Sequence, residues 1–458
     1  MRYSLWLAIS LSSLVACGDD GPITPSAGGG GSGGDAPSTN GGAGGSPASA
    51  GSGQGGAGGS GPALPIGLHA FDGTDVALPY DDLAPFGAMV DGAHIVGLGE
   101  SVHTSGGFYA AKHRLIRYLV EEKGFRVLAM ETPRTLAESQ AAPFIDACQG
   151  TSTEALKGIF GVFADDNTQH LFEWLCEWNT AHPNDKVRFF GFDVQQPADD
   201  RAALGAFLES AAPADAAALL QPIDDACWLT YEIVTIPAAE HDACLQALDE
   251  LEAYIGDHEA ELLAARGEET LAFDRLSLLG LRSWEDEAFY YNTNIGQSYQ
   301  VRDTAMSTVF ETQRTWRFPE DTIVWAHDFH LRKHSDAAKE QPVIHALGSY
   351  LFDTHGDDYR PFGLTSLKTG INWPGFECSE DYGLPRPNSL EEKVEQLGVK
   401  NTLVDLVAAT SGEAPFLPPG QITPYSFKER AVLEEQFRGV FVLEASPPMN
   451  AVFWDCQP

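Results

Sequence analysis

His94-Ile-Val-Gly-Leu-Gly-Glu-Ser-Val-His103, followed by the amphipathic run from about Gly107 to Glu122, decides how this chain folds. His94 to Gly99 is a short apolar run that ends in glycine and then turns abruptly polar, the pattern of a strand buried on both faces. Behind it, Phe108, Ala111, Leu115 and Leu119 recur at helical spacing, and Lys123-Gly124 supplies a stop. The same alternation continues outward. Arg126 to Met130 reads as a second strand, with a helix after Pro133. Val187 to Phe192 is a third strand, Thr322 to Ala326 a fourth and Tyr359 to Leu364 a fifth. Strands alternating with helices predict an α/β fold with a mostly parallel sheet covered by helices on both faces. Residues of about 199–318 are largely helical in pattern and read as an insertion capping the carboxyl edge of the strands. A helix is expected near Ser389 to Leu397 in the otherwise turn-rich stretch 370–428.

Before this domain lies a different kind of chain. Arg2, the apolar stretch Leu5 to Ala16 and Leu14-Val15-Ala16-Cys17-Gly18 have the form of a lipoprotein signal with Cys17 as the acylated residue. The apolar stretch is too short to span a bilayer. Residues 18–63 are almost all Gly, Ser, Ala, Pro, Thr and Asn and cannot bury a core. As a flexible tether they would span roughly 35–40 Å. Domain 64–458 is therefore expected to be exported and held to the bacterial cell envelope by lipid alone. The Gly30-Gly-Ser-Gly-Gly34 match to a nucleophile elbow lies in this tether, without the flanking strand and helix such an elbow needs.

Of the 458 residues, 65 are acidic and 28 basic, giving a formal charge of −37. Such a surface repels phosphate backbones, which excludes nucleic acid as a partner. Seven cysteines include Cys17; the other six suit an oxidising compartment. Pairing near neighbours gives Cys148–Cys176, Cys227–Cys244 and Cys378–Cys456. The sequence does not fix the oligomeric state.

The polar residues that carry chemistry fall at strand ends. Glu100 and His103 follow the first strand, Glu131 ends the second, Asp193 the third, and His327 and His330 lie just past the fourth. In an open parallel sheet, sites form outside the carboxyl ends of the strands, so four strands deliver carboxylates and imidazoles to one edge. Singly, each has a plainer reading: a strand-end histidine often only fixes a turn, and Asp193 can cap a helix. Lys112 sits on the apolar stripe of the first helix. Because helical side chains lean toward the N-terminus, it either reaches back to the strand ends or snorkels to water.

Gly97-Leu-Gly-Glu-Ser-Val-His103, the helix Phe108 to Leu119 and Glu121-Glu-Lys-Gly-Phe125 together resemble the opening of the erythromycin esterase family, G-E-x-x-H followed by an aromatic-led helix and a strand ending in Glu. Phe190-Gly-Phe-Asp193, Arg302-Asp303 with Met306, Trp325-Ala-His-Asp-Phe-His330 and Gly356-Asp-Asp-Tyr359 match in order, so the resemblance spans residues of about 85–450. It implies hydrolysis of an ester or macrolactone by histidine-activated water, without cofactor or covalent enzyme intermediate. By position, His103 would be the base, with Glu100 and Glu131 orienting it. His327 and His330 would stabilise charge on the carbonyl oxygen. Lys112 stands where the family commonly has Arg, and Asp193 and Arg302 are assigned to the substrate. Val102, Thr104, Asp328 and Thr304 depart from the usual pattern, which bears on macrolide specificity. Two alternatives stay open: a divalent metal held by Glu100, His103, Glu131, His327 and His330, and a non-catalytic lipoprotein binding haem or a metal ion.

Overall fold

A computed structural model describes residues 64–458 apart from 233, 335–343, 377, 384, 427–428 and 456–458. The expected signal, Cys17 and the tether lie outside the described residues, as does Cys456 of the third expected cysteine pair. The other two pairs, Cys148–Cys176 and Cys227–Cys244, are disulfides.

Eight strands form the main sheet: β1 (Leu68–Ala70), β2 (Ile95–Leu98), β3 (Val127–Pro133), β4 (Arg188–Asp193), β5 (Thr322–Trp325), β6 (Tyr359–Ser366), β7 (Thr402–Asp405) and β8 (Gly439–Leu443). Their order across the sheet is β1-β7-β8-β6-β2-β5-β3-β4. The five strands expected from the sequence are neighbours, β6-β2-β5-β3-β4, and all pair in parallel. β8 extends this block in parallel to β6, while β7 and β1 pair antiparallel at the far edge. The central strands are wholly buried, with Ile95, Val96, Val127, Leu128, Ile323 and Val324 each 0% exposed, as covering both faces demands.

Two helical layers cover the sheet. On one face lie α1 (Gly106–Lys123) and α2 (Asp166–Ala181), packing Phe108, Leu115, Leu119, Leu171 and Leu175 with Leu98, Leu128 and Trp325. Helix α1 ends where expected: Gly124 adopts φ 78°, and its amide reaches the Leu119 carbonyl. The other face is covered by α3 (Glu268–Tyr291), α4 (Ile295–Trp316) and α5 (Leu347–His355), which set Phe273, Met306, Val309, Phe310, Leu347 and Leu351 against Ile95, Val127, Phe190 and Val324. The remaining helices of the insertion, Pro197–Ala211, Ala216–Ala226, Ala238–Asp257 and Glu259–Arg266, form a separate small core with α3 around Leu204, Leu208, Leu248 and Leu251. Among the described residues no helix is long and apolar enough to cross a membrane.

The chain runs from β2 to β3 and β4 over the α1/α2 face, then returns to β5 and β6 over the α4/α5 face. At the carboxyl ends of β2 and β5 the connections therefore part to opposite faces, leaving a crevice between them.

Candidate active site

His103 stands on the turn between β2 and α1. The residue after it, Thr104, adopts φ 63°, a left-handed conformation that costs a side chain with a branched Cβ about 1–3 kcal/mol. Three hydrogen bonds hold it there. The Thr104 amide donates to the Tyr109 hydroxyl at 2.7 Å, and its carbonyl accepts from the amides of Asn372 at 3.1 Å and Met449 at 2.9 Å. Tyr109 in turn donates to the Val162 carbonyl at 2.7 Å. A turn this over-determined aims the His103 ring rather than letting it sample rotamers.

Glu100 joins two partners. One carboxylate oxygen accepts from His103 Nδ1 at 2.9 Å, and the other pairs with the Lys112 ammonium. Since an ionised carboxylate only accepts, His103 carries its proton on Nδ1 and presents an Nε2 lone pair. Lys112 does not snorkel: it is fully buried, donates to the Ala326 carbonyl at 3.3 Å and lies 4.6 Å from the centre of the Trp325 ring. Burial pushes its ammonium well below the usual lysine range, against the attraction of Asp328 and Glu131.

Glu131 lies on β3 where the register with β4 slips between Met130 and Pro133. One oxygen accepts the His327 amide at 2.8 Å; the other accepts from Arg302 at 3.0 Å and lies 3.4 Å from His330 Nε2. Burial pushes this carboxyl up, but His330, His103 and Arg302 and the His327 amide outweigh it and hold it well below the ordinary glutamate range. Arg302, from α4, also clamps Asp193 at the end of β4, Nε to Oδ1 at 3.3 Å and Nη2 to Oδ2 at 2.5 Å. Asp193 and Arg302, read from the sequence as substrate-binding, are thus buried and bound to each other. The next residue, Asp303, accepts from His330 Nδ1 at 2.8 Å and from the Leu347 amide at 2.7 Å.

His327 is the counterpart of His103. Its Nδ1 accepts the Phe329 amide at 3.1 Å, so the neutral ring bears its proton on Nε2. Burial pushes it well below the usual histidine range, and His103, His330 and Lys112 act in the same direction against Glu131. The ring centres of His103 and His327 lie 5.0 Å apart, with Phe163 at 5.0 Å and Trp373 at 6.4 Å from His103. Of the titratable side chains in this cluster, His103 at 4% and His327 at 6% are the most exposed, whereas Glu100, Lys112, His330 and Asp303 are at 0%. The arrangement puts one imidazole acceptor and one imidazole donor at the surface of a buried, charge-paired layer.

The structure thus brings Glu100, His103, Lys112, Glu131, Asp193, Arg302, His327 and His330 together. Asp303, Tyr109, Phe163 and Trp373 join them without having been assigned roles from sequence. Asp303 was visible only as half of the Arg302-Asp303 dipeptide, and Trp373 falls in the turn-rich stretch 370–428, outside its one helical pattern. Among the described residues, no three of Glu100, His103, Glu131, His327 and His330 bring donor atoms within 4.8 Å of one another; Lys112 pairs with Glu100 and Arg302 with Glu131. A cavity of about 720 Å³ opens at the opposite end of β3 and β4, among Arg126, Asp185, Arg188 and Phe318, and none of the candidate residues lines it.

Gly99, between β2 and Glu100, has no room for a side chain: a methyl group there would overlap the Asp328 carboxylate. Gly99→Ala is expected to lower stability by about 1–3 kcal/mol, read as a reduced urea midpoint at unchanged slope. An unchanged midpoint would mean that Asp328 moves aside freely.

Comparison with known proteins agrees with this architecture. The erythromycin esterase family model matches residues 120–444, a span that begins after Glu100, His103 and Lys112. Erythromycin esterase type II of Escherichia coli is 24% identical over 419 residues, covering 82% of this chain and 94% of its own. A putative hydrolase of Bacillus subtilis is 26% identical over 394 residues, covering 80% and 87%. A mutant of the erythromycin esterase EreC, solved in its open conformation, superposes with TM-score 0.67 at 17% identity over 84% of this chain and all of that one. A Bacillus cereus protein superposes with TM-score 0.67 at 19% identity, over 84% and 96%. With the family model matching most of its length, the chain belongs to the erythromycin esterase family.

Proposed function

We propose that this protein hydrolyses an ester or macrolactone by water that His103 deprotonates. That it is a hydrolase of erythromycin esterase type follows from its family; the mechanism and substrate are our reading. One observation carries it: Glu100 fixes the proton of His103 on Nδ1, leaving Nε2 as acceptor beside a neutral His327 whose Nε2–H is a donor. A water held by His103 Nε2 would attack the carbonyl carbon while His327 donates to the developing oxyanion, the electrostatic contribution that usually dominates acyl transfer. The imidazolium that forms is stabilised by Glu100 and Glu131, and returns its proton to the departing alkoxide. Lys112 holds Glu100 ionised and in place. Arg302 and Asp303 hold Glu131 and His330 from behind. The reading involves no metal, because the carboxylates are already neutralised by side-chain cations.

The substrate is a small molecule, and detoxification of a lactone antibiotic would suit the family. The lipid-anchored, exported location read from Cys17 and the tether belongs to the same proposal: a hydrolase at the envelope meets such compounds before they enter the cell. Purified residues 64–458, tested against macrolides and a panel of simple esters, should release acid from at least one of them at an unchanged rate in chelator. Loss of activity in chelator, restored by zinc or manganese, would replace this mechanism with the metal-dependent one. A haem absorption band with no hydrolysis would favour the binding-lipoprotein alternative.

A further inference from the structure

Tyr425 comes from a region to which neither the sequence motifs nor the mechanism assigns a role. It ends the short strand Thr423–Tyr425, which pairs antiparallel with Glu429–Ala431. Its ring is 1% exposed, packs on Phe437, and its hydroxyl donates to Oδ2 of Asp328.

Two features show that the chain is built around this bond. Ser426, directly after Tyr425, adopts φ 50°, and its amide is held at 2.6 Å by Glu391, which also accepts from the Thr365 hydroxyl at 2.7 Å. Glycine stands on both sides of the pair. A methyl group at Gly363 would come within 2.5 Å of the Tyr425 hydroxyl, and one at Gly99 would overlap Asp328.

Asp328 links this bond to the candidate site. Its amide donates to the Glu100 carbonyl at 2.9 Å, and its charge acts on the Lys112 ammonium that pairs with Glu100. It also follows His327 directly, so its position sets where that ring begins. We propose that Tyr425 is a positioning residue for the hydrolytic site, acting through Asp328 to hold Glu100, and hence His103, together with His327 in their relative places. Tyr425 reaches the site through Asp328, so its effect belongs on the chemical step and not on substrate binding.

This inference rests on the proposed hydrolysis for its kinetic test, and a second measurement frees it from that dependence. Tyr425→Phe should lower kcat about 10- to 100-fold, the range typical of groups that orient a site from behind, with KM within about threefold. Asp328→Asn should give a loss of the same kind. The double variant should be no worse than the worse single one, because both break one link. In parallel, NMR of the histidine rings should show the His103 and His327 resonances displaced in Tyr425→Phe, while those of His258, on the far helical insertion, stay in place. Should Tyr425→Phe fail to fold, Gly363→Ala presses on the same hydroxyl from β6 and is expected to give the same kinetic split and the same displaced resonances. A wild type that hydrolyses no ester defeats the proposed function, yet the ring resonances still report on the positioning. Wild-type kcat in folded Tyr425→Phe, unmoved rings, or losses that simply add in the double variant would each overturn the proposal.

Discussion

His103→Ala should lower kcat/KM for any ester this protein hydrolyses by about 10²- to 10⁴-fold, the range that a positioned general base contributes, while the protein stays folded. Both halves of the expectation come from geometry. Among the titratable members of the cluster only His327 is more exposed than His103, so truncation leaves a gap at its outer side. The paired carboxylates remain neutralised, since Glu100 keeps Lys112 and Glu131 keeps Arg302. Circular dichroism and the thermal midpoint should therefore change little. The reaction, by contrast, loses the imidazole acceptor held beside His327: Nδ1 of His327 is occupied by the Phe329 amide, and His330 is fully buried with Nδ1 committed to Asp303. Activity within tenfold of wild type in folded His103→Ala would assign the base elsewhere. The same loss accompanied by unfolding would make His103 a structural residue. Parallel denaturation curves distinguish the two.

Much of this site was legible because it lies where chain physics makes reading easy. Strands buried on both faces are short apolar runs, and β2 to β6 announced themselves as such; their carboxyl ends then had to share an edge. Lys112 was legible as an anomaly, a charge on an apolar helical stripe, though only the structure decided that it turns inward to Glu100. Three strands were missed for separate reasons. β1 is three residues long, with Leu68 as its one core-facing apolar anchor. β7 and β1 pair antiparallel at the edge, and the helix that follows β7, Leu406–Ala409, is a single turn, too short to show as a helical period. β8, Gly439-Val-Phe-Val-Leu443, was a readable apolar run, but it follows a turn-rich stretch and has no helix after it to complete the alternation. The links behind the histidines were beyond any pattern. Asp303 with His330 and Tyr425 with Asp328 are pairings fixed by tertiary packing. The two buried cations paired with Glu100 and Glu131, Lys112 and Arg302, come from helices α1 and α4, distant in the chain, and no local pattern announces either pairing.

The largest expected effect on stability is at Arg302. Its guanidinium is 1% exposed and serves Glu131 and Asp193 at once, with a further approach to His330 Nε2 at 3.3 Å. A buried ion pair adds little net stability over an apolar replacement of the whole set, but removing one partner strands the charges that remain. Arg302→Met keeps much of the side-chain volume and removes the charge, so two buried carboxylates lose their common cation. The expected loss is about 3–5 kcal/mol, measured as the drop in unfolding free energy in urea at pH 7. Arg302→Lys should recover only part of it, because a single ammonium cannot reproduce a fork that engages two carboxylates. The Asp193→Asn change offers a way to separate charge from packing. In an Arg302→Met background it removes one stranded anion, so the double variant should be more stable than Arg302→Met alone, a non-additivity expected only of groups that interact directly. If Arg302→Met costs less than about 1 kcal/mol, or if Asp193→Asn worsens it, the buried carboxylates are neutralised by protons or by their histidine neighbours, and the electrostatic frame behind His103 and His327 is not the one described.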